Sequence, residues 1–303
     1  MLVNNLKNKN LSDAIYNEEI VEFDSSSGDK IFSKHLIPKR SRLIRYHFYI
    51  VHGAIEYHDR LNPLIEYLKK VYRDQAIISY YDHVGHGFST GHRAHVDNFQ
   101  TYTNDFLNFF SQACEKSNQF SCKKIVIAHS MGGLISLLSL VLENQNLKYK
   151  PDAVILSNPC IRPNMDIPRI SISLIQKFPD LLMKTRIPVI HGGVGLTTDE
   201  DRARLFQLDP LISKSMSLNM GLEVLNASKK LRSLGYYINF PCYFLLSGDD
   251  RVCDVEMTRL FISGIEKNLV DMVYYPRARH ELFNEVNRDE VFGQISDWIL
   301  KRL

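Results

Sequence analysis

No C-x-x-C pair occurs among the five cysteines, Cys114, Cys122, Cys160, Cys242 and Cys253, and their number is odd. A full disulfide framework and a zinc ribbon are both excluded, and reduced thiols in a cytoplasm fit best. Long apolar runs are also missing. The longest, Met131 to Leu142, is about 12 residues and falls short of the ~20 that a spanning helix needs, so no transmembrane segment is expected. The first stretch, Met1 to Ile20, is rich in Asn and Lys and has no apolar run of the signal-peptide kind, so the mature chain is expected to start at Met1. Charge of one sign is scarce too. The 37 basic and 34 acidic residues leave +3, which carries no footprint for nucleic acid and gives only weak attraction to an anionic membrane surface.

What is present is a chain able to build a large core. Of its 303 residues 45% are apolar and 11% aromatic, so folding can bury roughly three quarters of the unfolded surface without covalent staples. Disorder and collagen are ruled out by the same figures. Glu19 to Phe23 and Lys30 to Ile37 are strand-like runs around Ser25-Ser26-Ser27-Gly28, which predicts an opening antiparallel hairpin. From Tyr49-Ile50-Val51 onward apolar strands alternate with helical patterns. The helix of Leu61, Leu64, Ile65 and Leu68 leads to a strand at Ala76 to Tyr80, and a helix at Thr103 to Cys114 leads to a strand at Lys124 to Ala128. The apolar helix from Met131 and the strand Ala153 to Ser157 follow. Continuous apolar strands separated by helices indicate a parallel sheet covered on both faces.

Between Cys160 and Asn239 that rhythm is lost through Pro163, Pro168, Pro179, Pro188 and a predicted turn at Gly192-Gly193-Val194-Gly195. Residues 160–239 are therefore expected to form a cap subdomain inserted into one α/β domain spanning 1–303. The rhythm returns with a strand at Cys242 to Leu246, a helix at Val255 to Ile265, a strand at Met272 to Tyr275 and a closing helix through Val291, Phe292, Ile295, Trp298 and Ile299.

The strand Ile125-Val126-Ile127 runs straight into Ala128-His129-Ser130-Met131-Gly132-Gly133 and a helix, the context of a nucleophile elbow. Ser130 would present its hydroxyl at the top of the sheet, and the tight turn demands small residues two positions either side, here Ala128 and Gly132. A serine that merely caps the helix is the plain alternative. A nucleophilic serine needs a base oriented by a third group, usually a carboxylate. Asp250 follows one later strand and His280 the next, so all three stand at the carboxyl ends of strands, where α/β sheets bind ligands. Asp249 competes with Asp250 for the role of acid. Oxyanion donors are expected from the backbone N–H of Met131 and from Ala54 in His52-Gly53-Ala54-Ile55; His52 itself is read as a structural histidine bonding backbone.

These stretches, with Asp82-His83-Val84-Gly85-His86-Gly87-Phe88-Ser89 and Asp209-Pro210-Leu211-Ile212, resemble the monoglyceride lipase and lysophospholipase group of α/β hydrolases, close to the serine aminopeptidases of the S33 kind. The resemblance runs from about residue 48 to the C-terminus. It implies the α/β-hydrolase fold with a lid, the nucleophile, acid and base at Ser130, Asp250 and His280, oxyanion donors at Ala54 and Met131, and no cofactor. Two departures stand out: Ala128 replaces the elbow glycine, and Ile55 stands where a glycine is common, which implies a narrower acyl pocket. Cys253 is placed to line that pocket, although a buried inert thiol is the plainer description.

His83, His86, His92 and His95 crowd together without a nearby cysteine and are read as turn and surface histidines, so no metal site is expected. The apolar stretch Ile172 to Met183, with Leu174 and Leu181, is expected to pack over the site as a lid and to touch acyl chains; dipping into a membrane or micelle is the sharper reading. The expected activity is hydrolysis of a single-acyl lipid ester. The alternatives are a proline-iminopeptidase-like peptidase, for which Asp199, Glu200 and Asp201 would supply an acidic group, and a hydrolase fold kept as a ligand receptor.

Overall fold

The two strands that open the chain pair antiparallel around residues 25–28, where Gly28 takes a φ of +87° at the tip. The computed structural model describes residues 15–40, 43–143, 146–164, 183–188 and 192–303. In chain order the strands are β1 (Tyr16–Asp24), β2 (Lys30–Pro38), β3 (Tyr46–Val51), β4 (Ala76–Tyr81), β5 (Lys123–His129), β6 (Ala153–Ser157), β7 (Arg186–Pro188), β8 (Ser215–Ser217), β9 (Cys242–Ser247) and β10 (Val270–Tyr275). Eight of them form one sheet in the order β1-β2-β4-β3-β5-β6-β9-β10. β1, β2 and β4 pair antiparallel, and every pairing from β4 to β10 is parallel.

Every residue of β3, β4, β6 and β9 is buried, so both faces of the sheet need cover. The cover is amphipathic or apolar helix: α1 (Asn62–Tyr72), α2 (Gln100–Glu115) and α3 (Met131–Leu142) follow β3, β4 and β5. Because side chains alternate along a strand, Tyr49 and Val51 of β3 join one apolar cluster with Phe106 and Phe110 of α2 and Leu134 of α3, whereas Phe48 and Ile50 join another with Leu64 and Leu68 of α1. The crossovers thus lie on opposite faces, which brings the carboxyl ends of the parallel strands to one edge.

Between β6 and β9 the described residues form the antiparallel ribbon β7–β8 and the helices α4 (Gly193–Leu196), α5 (Glu200–Leu208) and α6 (Leu218–Arg232). Where a turn is predicted at Gly192 to Gly195 the chain makes a single helical turn instead. The glycine there serves a close approach: a Cβ on Gly193 would sit 2.1 Å from the carbonyl oxygen of Ala203 in α5. α6 is bound into the body, since Met220, Val224, Ala227 and Leu231 share the cluster of Leu134 and Leu138. The chain closes with α7 (Val255–Ser263) and α8 (Arg288–Arg302), whose Val291, Phe292, Ile295 and Ile299 pack in the Phe48 cluster. None of the helices among the described residues is long and apolar enough to cross a membrane.

Candidate active site

β5 ends at His129 and α3 begins at Met131, so Ser130 alone makes the corner, at φ 52° and ψ −120°. A non-glycine residue there is strained, and packing forces it: a Cβ on Gly132 would lie 2.4 Å from the His52 carbonyl oxygen and 2.6 Å from that of Val51. The helix therefore starts hard against the β3 turn. Ala128 is fully buried and its single methyl is accommodated.

His280 Nε2 lies 2.8 Å from Ser130 Oγ, and His280 Nδ1 lies 2.8 Å from Asp250 Oδ2. A carboxylate can only accept, so the imidazole proton sits on Nδ1 and Nε2 accepts from the serine hydroxyl. Asp250 is held by its own loop: Oδ1 accepts from the N–H groups of Val252 and Cys253 at 2.8 and 2.9 Å. Asp249 is instead half-exposed and paired with Arg251 and Arg279. Burial opposes the charged form of His280, yet the adjacent Asp250 carboxylate outweighs it and holds the imidazole above its ordinary pKa. The three candidate residues thus form one hydrogen-bonded line from strand ends β5, β9 and β10.

The turn after β3 lies on the serine, since a Cβ on Gly53 would meet Ser130 Cβ at 3.1 Å and His129 at 3.2 Å. Ala54 follows Gly53 on this turn, and Met131 follows Ser130 at the first residue of α3. His52 bonds backbone, Nδ1 to the Gly53 oxygen at 2.7 Å, while Nε2 accepts from the His83 N–H at 2.9 Å. Ile55 is buried with φ 61°, a left-handed conformation that a β-branched residue rarely adopts and that glycine adopts freely. Its carbonyl accepts from Ser213 N–H at 2.9 Å.

Cys253 is buried beside Cys160, and this neighbour together with burial pushes its thiol well above the ordinary range. Leu174 and Leu181 lie outside the described residues, as does most of the Ile172 to Met183 stretch. Asp199 caps α5, accepting from Arg202 N–H at 3.0 Å, and its other oxygen takes Arg288 at 2.7 Å; Glu200 and Asp201 are exposed.

Asp82 anchors the histidine-rich turn, accepting from the His58 N–H, His58 Nδ1 and Phe88 N–H at 2.8 to 2.9 Å. His83 Nε2 donates to the His52 oxygen and His86 Nδ1 to the Val84 oxygen, both at 2.9 Å. Among the described residues, Asp250, Cys253 and His280 make the group of possible metal ligands, with one ligand atom each inside 4.8 Å, but Asp250 and His280 already face one another.

Three groups escaped the sequence reading. Asn158, at φ 42°, donates from Nδ2 to Ser247 Oγ at 2.7 Å and to the His280 carbonyl at 2.6 Å, and its Oδ1 accepts from Ser247 N–H at 2.8 Å. Arg60 and Glu281 form a buried ion pair, in which Arg60 Nε donates at 2.9 Å, and Asn284 Nδ2 joins at 3.1 Å. Glu56 is buried, and its Oε1 accepts from Gly53 N–H at 2.5 Å. The signals were adjacency alone: Glu56 follows the glycine turn and Glu281 follows His280.

A further seam joins the segment between β6 and β9 to the His280 loop. Glu281 N–H donates to the Leu196 oxygen at 2.8 Å, Thr197 Oγ1 to the Asn284 oxygen at 2.9 Å, Arg202 Nε to Asn284 Oδ1 at 2.8 Å, and Arg60 Nη1 to the Arg202 oxygen at 2.8 Å.

A mostly parallel sheet with a strained serine corner and a histidine and carboxylate at later strand ends defines an α/β hydrolase, and the chain is a hydrolase of that fold. The family model for serine aminopeptidase, S33, matches residues 44–287, and the chain belongs to that family. Among curated relatives, a monoglyceride lipase homolog of Monkeypox virus is 27% identical over 84% of this chain and 89% of its own length. The phospholipase YtpA of Bacillus subtilis (strain 168) is 26% identical over 80% of this chain and 90% of its own. In structure, a soluble variant of the monoglyceride lipase from Saccharomyces cerevisiae, solved with a substrate analog, superimposes with a TM-score of 0.79 at 21% identity, over 95% of this chain and 96% of that one. Family and relatives together support hydrolysis of a lipid ester.

Proposed function

We propose that the chain is a serine carboxylester hydrolase that cleaves a single-acyl lipid, a monoacylglycerol or lysophospholipid, through an acyl-enzyme on Ser130. The observation that carries this reading is the line Ser130 Oγ to His280 Nε2 to Asp250, with both contacts at 2.8 Å. In the reaction Ser130 Oγ attacks the ester carbonyl while His280 Nε2 takes its proton. Asp250 keeps the Nδ1–H tautomer and stabilises the imidazolium. The N–H groups of Ala54 and Met131 hold the oxyanion, where preorganised donors are worth several kcal/mol. His280 returns its proton to the leaving alcohol, and water repeats the sequence to release the fatty acid.

The lipid preference is assigned to the cap, residues 160–239. Its described part exposes Val194, Leu205 and Leu208, which suits peripheral contact with a lipid surface. For the peptidase alternative, both oxygens of Asp199 are engaged by Arg202 and Arg288, which leaves the exposed Glu200 and Asp201 as its acidic groups.

The test is a panel of monoacylglycerols, lysophospholipids, short esters and aminoacyl amides. Each buried methylene is worth about 0.8 kcal/mol, so kcat/KM should climb from acetyl towards medium chains until the pocket is full. A profile that falls steadily from acetyl upward, or turnover of the amides alone, would reject the lipid reading. Ser130→Ala should abolish ester hydrolysis and fluorophosphonate labelling while the fold remains; persistent labelling would put the nucleophile elsewhere.

A further inference from the structure

The catalytic line accounts for Ser130, His280 and Asp250 but leaves an acid at its edge unexplained. Glu56 is 3% exposed, and its carboxyl occupies the space that the missing side chain of Gly53 leaves open: a Cβ there would stand 2.8 Å from Glu56 Oε1. The same oxygen accepts from Gly53 N–H at 2.5 Å. Gly53 in turn rests on Ser130, and the next N–H along the chain is that of Ala54. Nothing in the proton relay requires a carboxyl group here.

We propose that Glu56 is a positioning residue for the oxyanion-binding turn: its carboxyl oxygen pins the Gly53 peptide and thereby fixes the Ala54 N–H beside Ser130. The proposal rests on the ester-hydrolase reading and deepens it. The group works in its neutral form. Burial and the neighbouring Glu281 push Glu56 up to about 8, against the opposing influence of the Gly53 N–H, Arg60 and His280. Arg60 cannot neutralise a second carboxylate fully, because its guanidinium already pairs with Glu281. From the β5 side the ring nearest to Gly53 is His129, which burial keeps uncharged. A carboxylate at this point would stand next to the negative charge that develops on the substrate oxygen and would raise the barrier; a neutral carboxyl holds the turn without that cost.

Two variants of the full chain separate the roles, assayed on a p-nitrophenyl ester. Glu56→Gln keeps an accepting oxygen and no charge, so kcat at pH 7 should stay within about threefold of wild type. Glu56→Leu removes the acceptor, so kcat should fall about 100- to 1,000-fold, the range seen for a lost oxyanion donor, with KM changed less than about threefold. Wild-type kcat should decline above about pH 8 as the carboxyl ionises, whereas Glu56→Gln should stay level there. A folded Glu56→Leu enzyme with near wild-type kcat would overturn the proposal, as would Glu56→Gln being as slow as Glu56→Leu. If Glu56→Leu does not fold, the alkaline profiles decide alone, and identical profiles in wild type and Glu56→Gln would overturn it. A wild type that hydrolyses no ester would sink the parent reading and this one together; wild-type turnover with any of the failures above sinks this one only.

Discussion

The side-chain amide of Asn158, just beyond β6, donates to the main-chain oxygen of His280 at 2.6 Å and so fixes the loop that carries the imidazole. The same amide clasps Ser247 at the end of β9 through both its oxygen and its nitrogen, so one residue ties together the ends of three neighbouring strands. Asn158→Leu leaves buried donors and acceptors unpaired, at about 1–3 kcal/mol each. The expected outcome is a fall in Tm of several degrees and a kcat loss of about tenfold or more with KM little changed. Thermal unfolding and steady-state kinetics check it; an unaltered kcat in a destabilised protein would make Asn158 a purely structural residue.

Asp250→Asn should lower kcat by about 10⁴, as a mispaired tautomer does in other triads. Asp249→Asn should cost far less, since among the described residues that carboxylate meets Arg251 and Arg279 near the surface. The reverse ranking in kinetic assays would transfer the role of acid to Asp249.

Activity should rise with pH along a limb set by His280. Its imidazole is held above the ordinary value by Asp250, so the free base needed to accept the serine proton appears only above the ~6.5 of an isolated histidine. In Asp250→Asn the limb in kcat/KM should move to lower pH. An acid limb well below 6.5 in the wild type would contradict the pairing.

Stability runs the other way. Burial lowers His35 and His86 to about 4 and His83 to about 3, while unfolded histidine titrates near ~6.5. Between those values the unfolded chain binds more protons than the folded one, so the stability present above about pH 6.5 is lost as pH falls, by about 1.4 kcal/mol per pH unit for each such histidine. His280, shifted upward, opposes this with one group, its contribution being present at low pH and lost as pH rises. Thermal unfolding at pH 7.5, 5.5 and 4.5 should show Tm dropping steeply below pH 6.5; a flat profile would mean these rings are charged or solvated in the native state.

Ile55→Gly tests the departure at the glycine turn. Left-handed backbone costs an L residue about 1–2 kcal/mol, and that relief offsets part of the burial lost with the side chain. The variant should lose about 2–3 kcal/mol and accept bulkier acyl groups. A loss of about 5 kcal/mol, the upper end of the ordinary cost of emptying a core site, would show that the backbone is not strained there.

Much of this was legible in the sequence because the signals are local. The strand Ala153 to Ser157 is predicted at its observed limits, and the serine corner is announced by small residues at Ala128 and Gly132. Ser130, Asp250 and His280 can be placed without coordinates because each follows an apolar strand of a parallel sheet, whose carboxyl ends share an edge. What could not be read depends on contacts made across the chain. Asn158 and His280 are 122 positions apart, and Arg60 and Glu281 are 221 apart; no periodicity marks such partners. Gly193 misled for a related reason, since its glycine answers to Ala203 and not to a bend in its own backbone.

The seam between residues 196–202 and 281–284 bears on how the base is held. Leu196, Thr197 and Arg202 share main-chain and side-chain bonds with the loop that carries His280, and Arg60 clamps both sides. Displacing this stretch would strain the loop that carries His280 and disturb the buried Arg60–Glu281 pair, so residues 196–202 act as a brace that keeps the imidazole in line with Ser130.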